Sequence, residues 1–275
     1  MRKNKDHLYF PRSALGERIF KTFEIGFLSA VTIFAPLRKG KTTFVIHDLI
    51  PMAKERGFLV ATADLWLDRD HPEQVIAKAL KEAIHGSGFV RRNWMRLSRP
   101  SPLVKGSGFE LLELFERFRH LGKGRALLVI DEVPHLSSRN EFESFTATLR
   151  ALLQRVQGDV FVVFTGSSQD GLARMFRNSK APFYQFSSVV PFPDLDLELA
   201  QHLGNIYHEV TGREWDVTKA FELYVARGMM PMYLRELYKI CVDQNLSAID
   251  ADKIVWSQML IEGQLEIPIP VQSTY

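Results

Sequence analysis

Short apolar runs alternate with segments of helical periodicity along the first part of the chain. Each run has the length of a strand, is rich in β-branched or aromatic residues and lacks polar alternation. The runs are Val31–Ala35, Phe58–Ala63, Ala126–Ile130, Val160–Phe164 and, more weakly, Phe186–Val190. Strands that are apolar on both faces are typical of a parallel sheet covered by helices.

The segments between these runs have the periodicity of helices. One extends from Lys41 to about Arg56, and we expect Pro51 to kink or interrupt it. Others are predicted from Pro72 to about Ile84, over Phe109–Leu121, and along the apolar face that runs from Phe142 to Val156. Strands alternating with helices predict an α/β fold, with a parallel sheet flanked by helices.

Only helical patterns follow Pro193. Leu195, Leu199, Leu203, Ile206 and Val210 repeat at steps of three and four residues. Further helices are predicted over Asp216–Arg227, from Pro231, and after Asp250, which we interpret as an N-cap. We therefore predict an α/β domain over residues 1–193 and a small all-helical domain over residues 194–275.

Composition excludes several classes of protein. With 46% hydrophobic and 24% charged residues among 275, the chain is globular and not disordered. Cys241 is the only cysteine, which excludes an internal disulfide framework and favours a cytoplasmic location. Neither a membrane helix nor a signal peptide is recognisable, so we expect no membrane partner. The two domains take up almost the whole length of the sequence, which leaves almost nothing for a separate effector domain. We therefore expect the effector function to be supplied by another chain or by DNA.

The residues after the first predicted strand carry the strongest motif. Ala35–Thr42 reads APLRKGKT, the pattern GxxxxGK[ST] of a phosphate-binding loop with Ala35 in place of the first glycine. In such a loop Gly40 permits close approach of the backbone, Lys41 reaches the β- and γ-phosphates, and Thr42 ligates Mg²⁺. If the first position needs a positive φ, Ala35 is expected to be strained. The alternative is a chance GKT after an apolar strand.

A pair of carboxylates, Asp131 and Glu132, directly follows the third strand. With a phosphate loop upstream, this pair predicts that Asp131 lies near the metal ion and that Glu132 polarises an attacking water. The alternative is an acidic strand end that faces solvent or caps a helix. The predicted nucleotide-binding residues are Ala35, Pro36, Leu37, Arg38, Lys39, Gly40, Lys41, Thr42, Thr43 and Asp131, with Thr42 and Asp131 as Mg²⁺ ligands.

Hydroxyl groups and arginines follow the fourth strand. Thr165 is predicted to contact the γ-phosphate or the attacking water, so Glu132, Lys41, Thr165 and Arg177 form the predicted catalytic set. The spacing equally allows the hydroxyl-rich turn through Ser168 to cap the next helix. Arg174 or Arg177 is a candidate arginine finger at a subunit boundary, although an ordinary surface arginine is the commoner case.

The motifs together resemble the P-loop ATPases with an added catalytic glutamate, namely the AAA+ and STAND groups. The resemblance covers most of the chain and includes FPRSALGERIFKTFEIG, APLRKGKTTF as Walker A, ALLVIDEVPHL as Walker B and FTGSSQDGLARMF as sensor 1. KAPFYQFSSVVPFPDL and ARGMMPMYLREL are similar to the archaeal-type ATPases of the STAND group. The compact ATPases that assist DNA transposition and helicase loading are also similar.

This resemblance implies a P-loop NTPase sheet followed by a helical lid, with ATP and Mg²⁺ bound between them. Gly228, Pro231, Tyr233 and Leu234 stand in for the lid signature. The chain departs from the pattern in two places. Gln185-Phe186 occupies a position that commonly holds arginine, and a sensor-2 arginine would fall near Pro231. That role is therefore absent or has moved to Arg227 or Arg235.

Two further clusters have open interpretations. A basic stretch suits DNA binding through backbone neutralisation and base stacking, or else is a solvated or protein-docking loop; its residues are Arg91, Arg92, Trp94, Arg96, Arg99 and Lys105. The formal net charge of +3 permits nucleic acid as a partner without requiring it. Asp64, Asp68 and Asp70 are interpreted as a helix-capping turn rather than a metal or substrate site.

Three functions are compatible with these motifs. The favoured one is an ATP-binding, Mg²⁺-dependent ATPase that acts as a nucleotide-driven switch or assembly factor, with self-assembly, another protein or DNA as its partner. The second is a nucleotide-gated regulatory protein with little hydrolysis. The third is a small-molecule kinase whose acceptor binds after the second strand; the acidic pair and the all-helical C-terminal part favour the first function over this one.

Overall fold

The computed structural model describes residues 6–26, 29–86, 107–177 and 179–261. The contacts between them define two compact units. The α/β unit contains Pro11–Leu37 and Lys41–Phe192, and the helical unit contains residues 6–10, Arg38–Gly40 and residues 193–261. Each unit has its own hydrophobic core.

The α/β unit is built on a sheet that has five parallel strands within the described residues. They are β1 (Ala30–Phe34), β2 (Leu59–Asp64), β3 (Ala126–Asp131), β4 (Val160–Gly166) and β5 (Ser188–Pro191). The strand order is β2-β3-β4-β1-β5. Every predicted strand is present, and the α/β class with a parallel sheet is confirmed.

Helices cover both faces of this sheet. They are α1 (Ser13–Glu24), α2 (Lys41–Phe44), α3 (Ile50–Glu55), α4 (Pro72–Gly86), α5 (Ser107–Gly122), α6 (Glu143–Arg155) and α7 (Gln169–Leu172). Alternate residues of β3 belong to different cores: Leu128 and Ile130 join the core with α4, α5 and α6, whereas Leu127 and Val129 join the core with α1. This double burial explains why β3 is apolar at consecutive positions.

The chain stays helical through the segment that contains Pro51. A π-helical turn, Val45–Leu49, connects α2 to α3, and Pro51 lies in the first turn of α3. A proline has no N–H to donate and its ring crowds the preceding turn. The wider π-helical turn just before Pro51 therefore accommodates the proline without breaking the helix. The interruption predicted at Pro51 is thus a change of hydrogen-bonding pattern and not a break in the helix.

The helical unit contains α8 (Leu197–Thr211), α9 (Val217–Ala226), α10 (Pro231–Gln244) and α11 (Ala248–Ile261). Its core is rich in aromatic side chains, including the fully buried Tyr224 and Tyr233. Asp216 caps α9 through its side chain, but the prediction for Asp250 is wrong. The helix α11 begins at Ala248, and Ser247 Oγ accepts a hydrogen bond from the Asp250 N–H across 3.2 Å, so Ser247 provides the cap.

Among the described helices, none combines the length and apolar character that crossing a lipid bilayer requires.

Candidate functional site

The phosphate loop connects β1 to α2, and its backbone departs from the expectation for its first residue. Positive φ occurs at Arg38 (65°) and Gly40 (88°) and not at Ala35. Ala35 is buried and its N–H donates to the carbonyl of Gly166 across 3.4 Å, at the end of the neighbouring β4. An alanine is therefore tolerated at the first position, and the expected strain at Ala35 is wrong. The non-glycine residue that takes a left-handed conformation is Arg38.

Lys41 folds back into the phosphate loop. Its Nζ donates to the carbonyl oxygens of Ala35 at 2.6 Å and Pro36 at 3.1 Å, and the residue is only 5% exposed. Desolvation by burial lowers the pKa of Lys41, while the nearby carboxylates of Glu132 and Asp131 oppose this shift. Backbone carbonyls of the loop thus hold the Lys41 ammonium. A phosphate anion in the loop would compete with these carbonyls for the ammonium.

Asp131 joins the phosphate loop to the end of β4. Thr42 Oγ1 donates to Asp131 Oδ2 across 2.8 Å, and Thr165 Oγ1 donates to Asp131 Oδ1. The parallel register explains this arrangement, because β3 and β4 pair Ile130 with Phe164 and so bring the next residue of each strand side by side. Both Asp131 and Thr165 are buried, and Thr42 reaches solvent.

Glu132 adopts a left-handed conformation, with φ 56° and ψ 44°, just after β3. Its N–H donates to Thr165 Oγ1 across 3.2 Å. Its side-chain Oε2 accepts two hydrogen bonds from Ser167, at 3.1 Å from the backbone N–H and 2.8 Å from the hydroxyl. Lys41, Thr42, Asp131, Glu132 and Thr165 therefore lie in one connected cluster at the carboxyl edge of the sheet. Sequence reasoning missed the contact between Ser167 and Glu132, since only the polar character of that strand end was visible.

The residues in this cluster suit magnesium and a polyphosphate. A threonine hydroxyl and a carboxylate already lie within 2.8 Å of each other, and oxygen atoms of this kind are the ligands that Mg²⁺ prefers. At Gly40 an added Cβ would meet no atom within 4 Å, so the loop has open space at its glycine. Neither here nor anywhere else in the described part of the chain is there a group of three or more His, Cys, Asp or Glu side chains that could hold a metal ion.

The fold is shared with solved structures of other proteins. No family model and no curated protein matches this sequence. Among solved structures, a Walker-type ATPase of Pyrococcus abyssi is 17% identical with a TM-score of 0.68, covering 96% of this chain and 77% of that one. The Aeropyrum pernix ORC1 protein in complex with DNA is 16% identical with a TM-score of 0.56, covering 96% and 72%. This chain has the α/β fold of P-loop NTPases.

A second Aeropyrum pernix protein, ORC2, whose structure contains ADPNP and ADP complexes, has the same fold. It is 15% identical with a TM-score of 0.56, and the match covers 93% of this chain and 72% of that one. These identities establish likeness of fold. In this fold the cluster lies after the end of β1 and at the carboxyl ends of β3 and β4, within the segments that resemble Walker A, Walker B and sensor 1.

Other predicted residues do not join the cluster. Arg174 and Arg177 are exposed in the π-helical turn after α7, and within the described residues neither is hydrogen-bonded or ion-paired to Asp131 or Glu132. Lys39 belongs by its contacts to the helical unit. Its Nζ lies 2.7 Å from the Asp194 carboxylate and donates to the Gly228 carbonyl at 2.7 Å.

The two arginines considered for a sensor-2 role both have partners in the helical unit. Arg227 donates twice to the carboxylate of Asp252, at 3.0 and 2.8 Å, and its guanidinium lies 3.9 Å from the centroid of the Trp256 ring. Arg235 pairs with Asp6 at 2.6 Å. These contacts give both side chains structural roles in this conformation.

The acidic turn after β2 is a structural turn. Asp64 accepts the Trp66 N–H at 2.9 Å, and Asp68 accepts the N–H groups of Asp70 and His71 at 3.2 Å. Arg139 pairs with Asp70 at 2.6 Å. Each of the three carboxylates therefore has a partner, but none of these hydrogen bonds caps α4, which begins at Pro72, so the helix-capping interpretation is not confirmed. The basic stretch from Arg91 to Lys105 lies outside the described residues.

Proposed function

We propose that this protein binds ATP together with Mg²⁺ and hydrolyses it. The observation that carries the proposal is the connected cluster of Lys41, Thr42, Asp131, Glu132 and Thr165 in a P-loop ATPase fold. Each residue type in the cluster has a role in phosphoryl transfer to water.

The phosphate loop and the carboxylates divide the chemistry between them. Lys41 would exchange the carbonyls of Ala35 and Pro36 for the β- and γ-phosphates. Thr42 and Asp131 would hold Mg²⁺, which neutralises charge on the phosphate oxygens. Thr165 fixes Asp131 from the other side and leaves Thr42 as the exposed ligand. Glu132 is then the carboxylate that accepts a proton from the attacking water.

We further propose that nucleotide turnover drives a switch or an assembly step, with DNA as a candidate partner. Two observations support DNA: the basic stretch of Arg91, Arg92, Trp94, Arg96, Arg99 and Lys105, and the fold shared with an ORC1 protein that was solved with DNA. Self-assembly would give the exposed Arg177 a role as an arginine finger toward a neighbouring subunit. The structure offers less to a kinase, because the carboxylates after β2 have local partners.

The decisive experiment compares ATP hydrolysis by the wild type and by Glu132→Gln, each with and without DNA. The substitution should lower turnover by about 10²- to 10⁴-fold while ATP binding is retained. Glu143→Gln is a matched control, since Glu143 is exposed on α6. A wild type that binds ATP but shows no turnover in either condition would overturn the hydrolysis proposal and favour a nucleotide-gated regulator.

A further inference from the structure

The carboxylate of Glu132 is fixed through one of its two oxygens. Ser167 donates both its N–H and its hydroxyl to Oε2, at 3.1 and 2.8 Å. Within the described part of the chain, Oε1 receives no hydrogen bond. Because a carboxylate is planar, anchoring one oxygen by two donors also fixes the direction of the other oxygen. The free Oε1 is therefore the oxygen that can accept a proton.

The backbone around this contact is closely packed. An added Cβ at Gly166 would lie 2.6 Å from Pro134 Cγ, and one at Gly171 would lie 2.7 Å from Pro134 Cβ. Pro134 follows the left-handed Glu132 in the 3-10 turn Val133–Ser137 and is buried. Gly166 thus lets the turn after β3 approach the end of β4, Gly171 lets it approach α7, and this approach brings Glu132 within reach of Ser167.

Three constraints then act on Glu132. The left-handed backbone sets the direction of its side chain, the bond from its N–H to Thr165 ties it to β4, and the two bonds from Ser167 set the carboxylate plane. A residue in the left-handed region is held there only by its surroundings.

We propose that Ser167 is a positioning residue for hydrolysis, which holds Glu132 Oε2 so that Oε1 faces the attacking water. This inference rests on the proposed function. In the reaction, the water oxygen bonds to the γ-phosphorus while the bond from that phosphorus to the β-bridging oxygen breaks, and its electron pair leaves with ADP. One water proton passes to Glu132 Oε1, and the products are ADP and phosphate.

The test is a double-mutant cycle of Ser167→Ala and Glu132→Gln, read as turnover and as ATP affinity. Ser167→Ala keeps the backbone donor and removes the hydroxyl, so turnover should fall about 5- to 20-fold with unchanged ATP affinity. Ser167→Thr should restore much of the rate. In the Glu132→Gln background Ser167→Ala should cause no further loss, because Ser167 acts through Glu132.

Ser138→Ala is the matched control, since this exposed serine donates to the His135 carbonyl at 2.7 Å in the same region. Unchanged turnover in Ser167→Ala, additive losses in the double variant, or a faster rate would each overturn the positioning role. A faster rate would mean that Ser167 restrains Glu132. A wild type without turnover would instead refute the proposed function, and the role of Ser167 with it, so the two failures are distinguishable.

Discussion

Thr42 and Asp131, separated by 89 positions in the sequence, are joined by a hydrogen bond of 2.8 Å from the threonine hydroxyl to Oδ2. The pair connects the start of α2 to the end of β3. Since Asp131 is also held by Thr165, only Thr42 can move away without disturbing the buried partner. The contact therefore brings together a hydroxyl and a carboxylate oxygen, the two groups that we propose as Mg²⁺ ligands.

Replacing Thr42 by alanine should weaken the Mg²⁺-dependent part of ATP binding. In calorimetric titrations with ATP in the presence of Mg²⁺, we expect the dissociation constant for ATP to be about 10-fold higher than for the wild type. The reason is that one of two protein ligands is lost. In EDTA the affinity should be unchanged. Thr42→Ser keeps the hydroxyl and should behave as wild type, and Thr218, which is exposed on α9, provides Thr218→Ala as a control. Equal losses with and without Mg²⁺ would contradict the ligand assignment.

Replacing Lys41 by alanine should abolish or strongly weaken nucleotide binding. A charge-assisted contact to phosphate is lost, so the dissociation constant for ATP should rise on the order of 10- to 100-fold. Binding of a fluorescent ATP analogue measures this directly. Lys21→Ala removes an exposed lysine of α1 and should leave affinity unchanged. Undiminished binding by Lys41→Ala would refute the phosphate-loop assignment.

The pair of Arg227 and Asp252 should make the helical unit sensitive to acid. Burial opposes ionisation of Asp252, but hydrogen bonds from Arg227 and Tyr233 outweigh it and lower the pKa below its ordinary value of 3.8. The stabilisation is therefore present above pH 3.8, the unfolded value, and is lost as the pH falls through the folded value. Asp252→Asn should lower the free energy of unfolding by about 2–4 kcal/mol at pH 7, because it leaves the Arg227 charge without its partner.

Tryptophan fluorescence during urea unfolding can measure this difference, because Trp256 lies against Arg227. The difference in the free energy of unfolding between the wild type and Asp252→Asn should become smaller as the pH falls below 3.8. Asp243→Asn, at an exposed position of α10, should change stability by less than about 0.5 kcal/mol. A gap that persists unchanged in acid would show that charge is not its source.

Much of this site could be predicted from sequence because its parts are contiguous. Asp131 and Glu132 directly follow the apolar residues of β3, and Lys41 and Thr42 belong to one loop, so local pattern alone identified them. The contact between Ser167 and Glu132 could not be predicted, because the two residues are 35 positions apart. The sequence also offered no reason to prefer the hydroxyl of Ser167 over that of the adjacent Ser168. The partners of Lys39 lie still further away, with Gly228 at a separation of 189 residues.

Local chemistry also misled in two places. Ala35 appeared to need a positive φ because glycine is usual there, but the conformational demand falls on Arg38 and Gly40. Asp250 looked like a helix cap, whereas Ser247 fills that position and Asp250 lies in the first turn. In each case the residue type was compatible with several positions in a turn, and only the backbone path decides between them.

The strand order affects which parts of the sheet can unfold locally. The strands β1, β3 and β4 carry or lead into the site residues. Each of these strands pairs with a neighbour on both sides. Within the described residues, the outer strands β2 and β5 pair on one side only. Local unfolding from the rims can therefore fray β2 or β5 while the site persists. We expect amide protons of β3 and β4 next to Asp131 and Thr165 to exchange with solvent only through openings close to global unfolding.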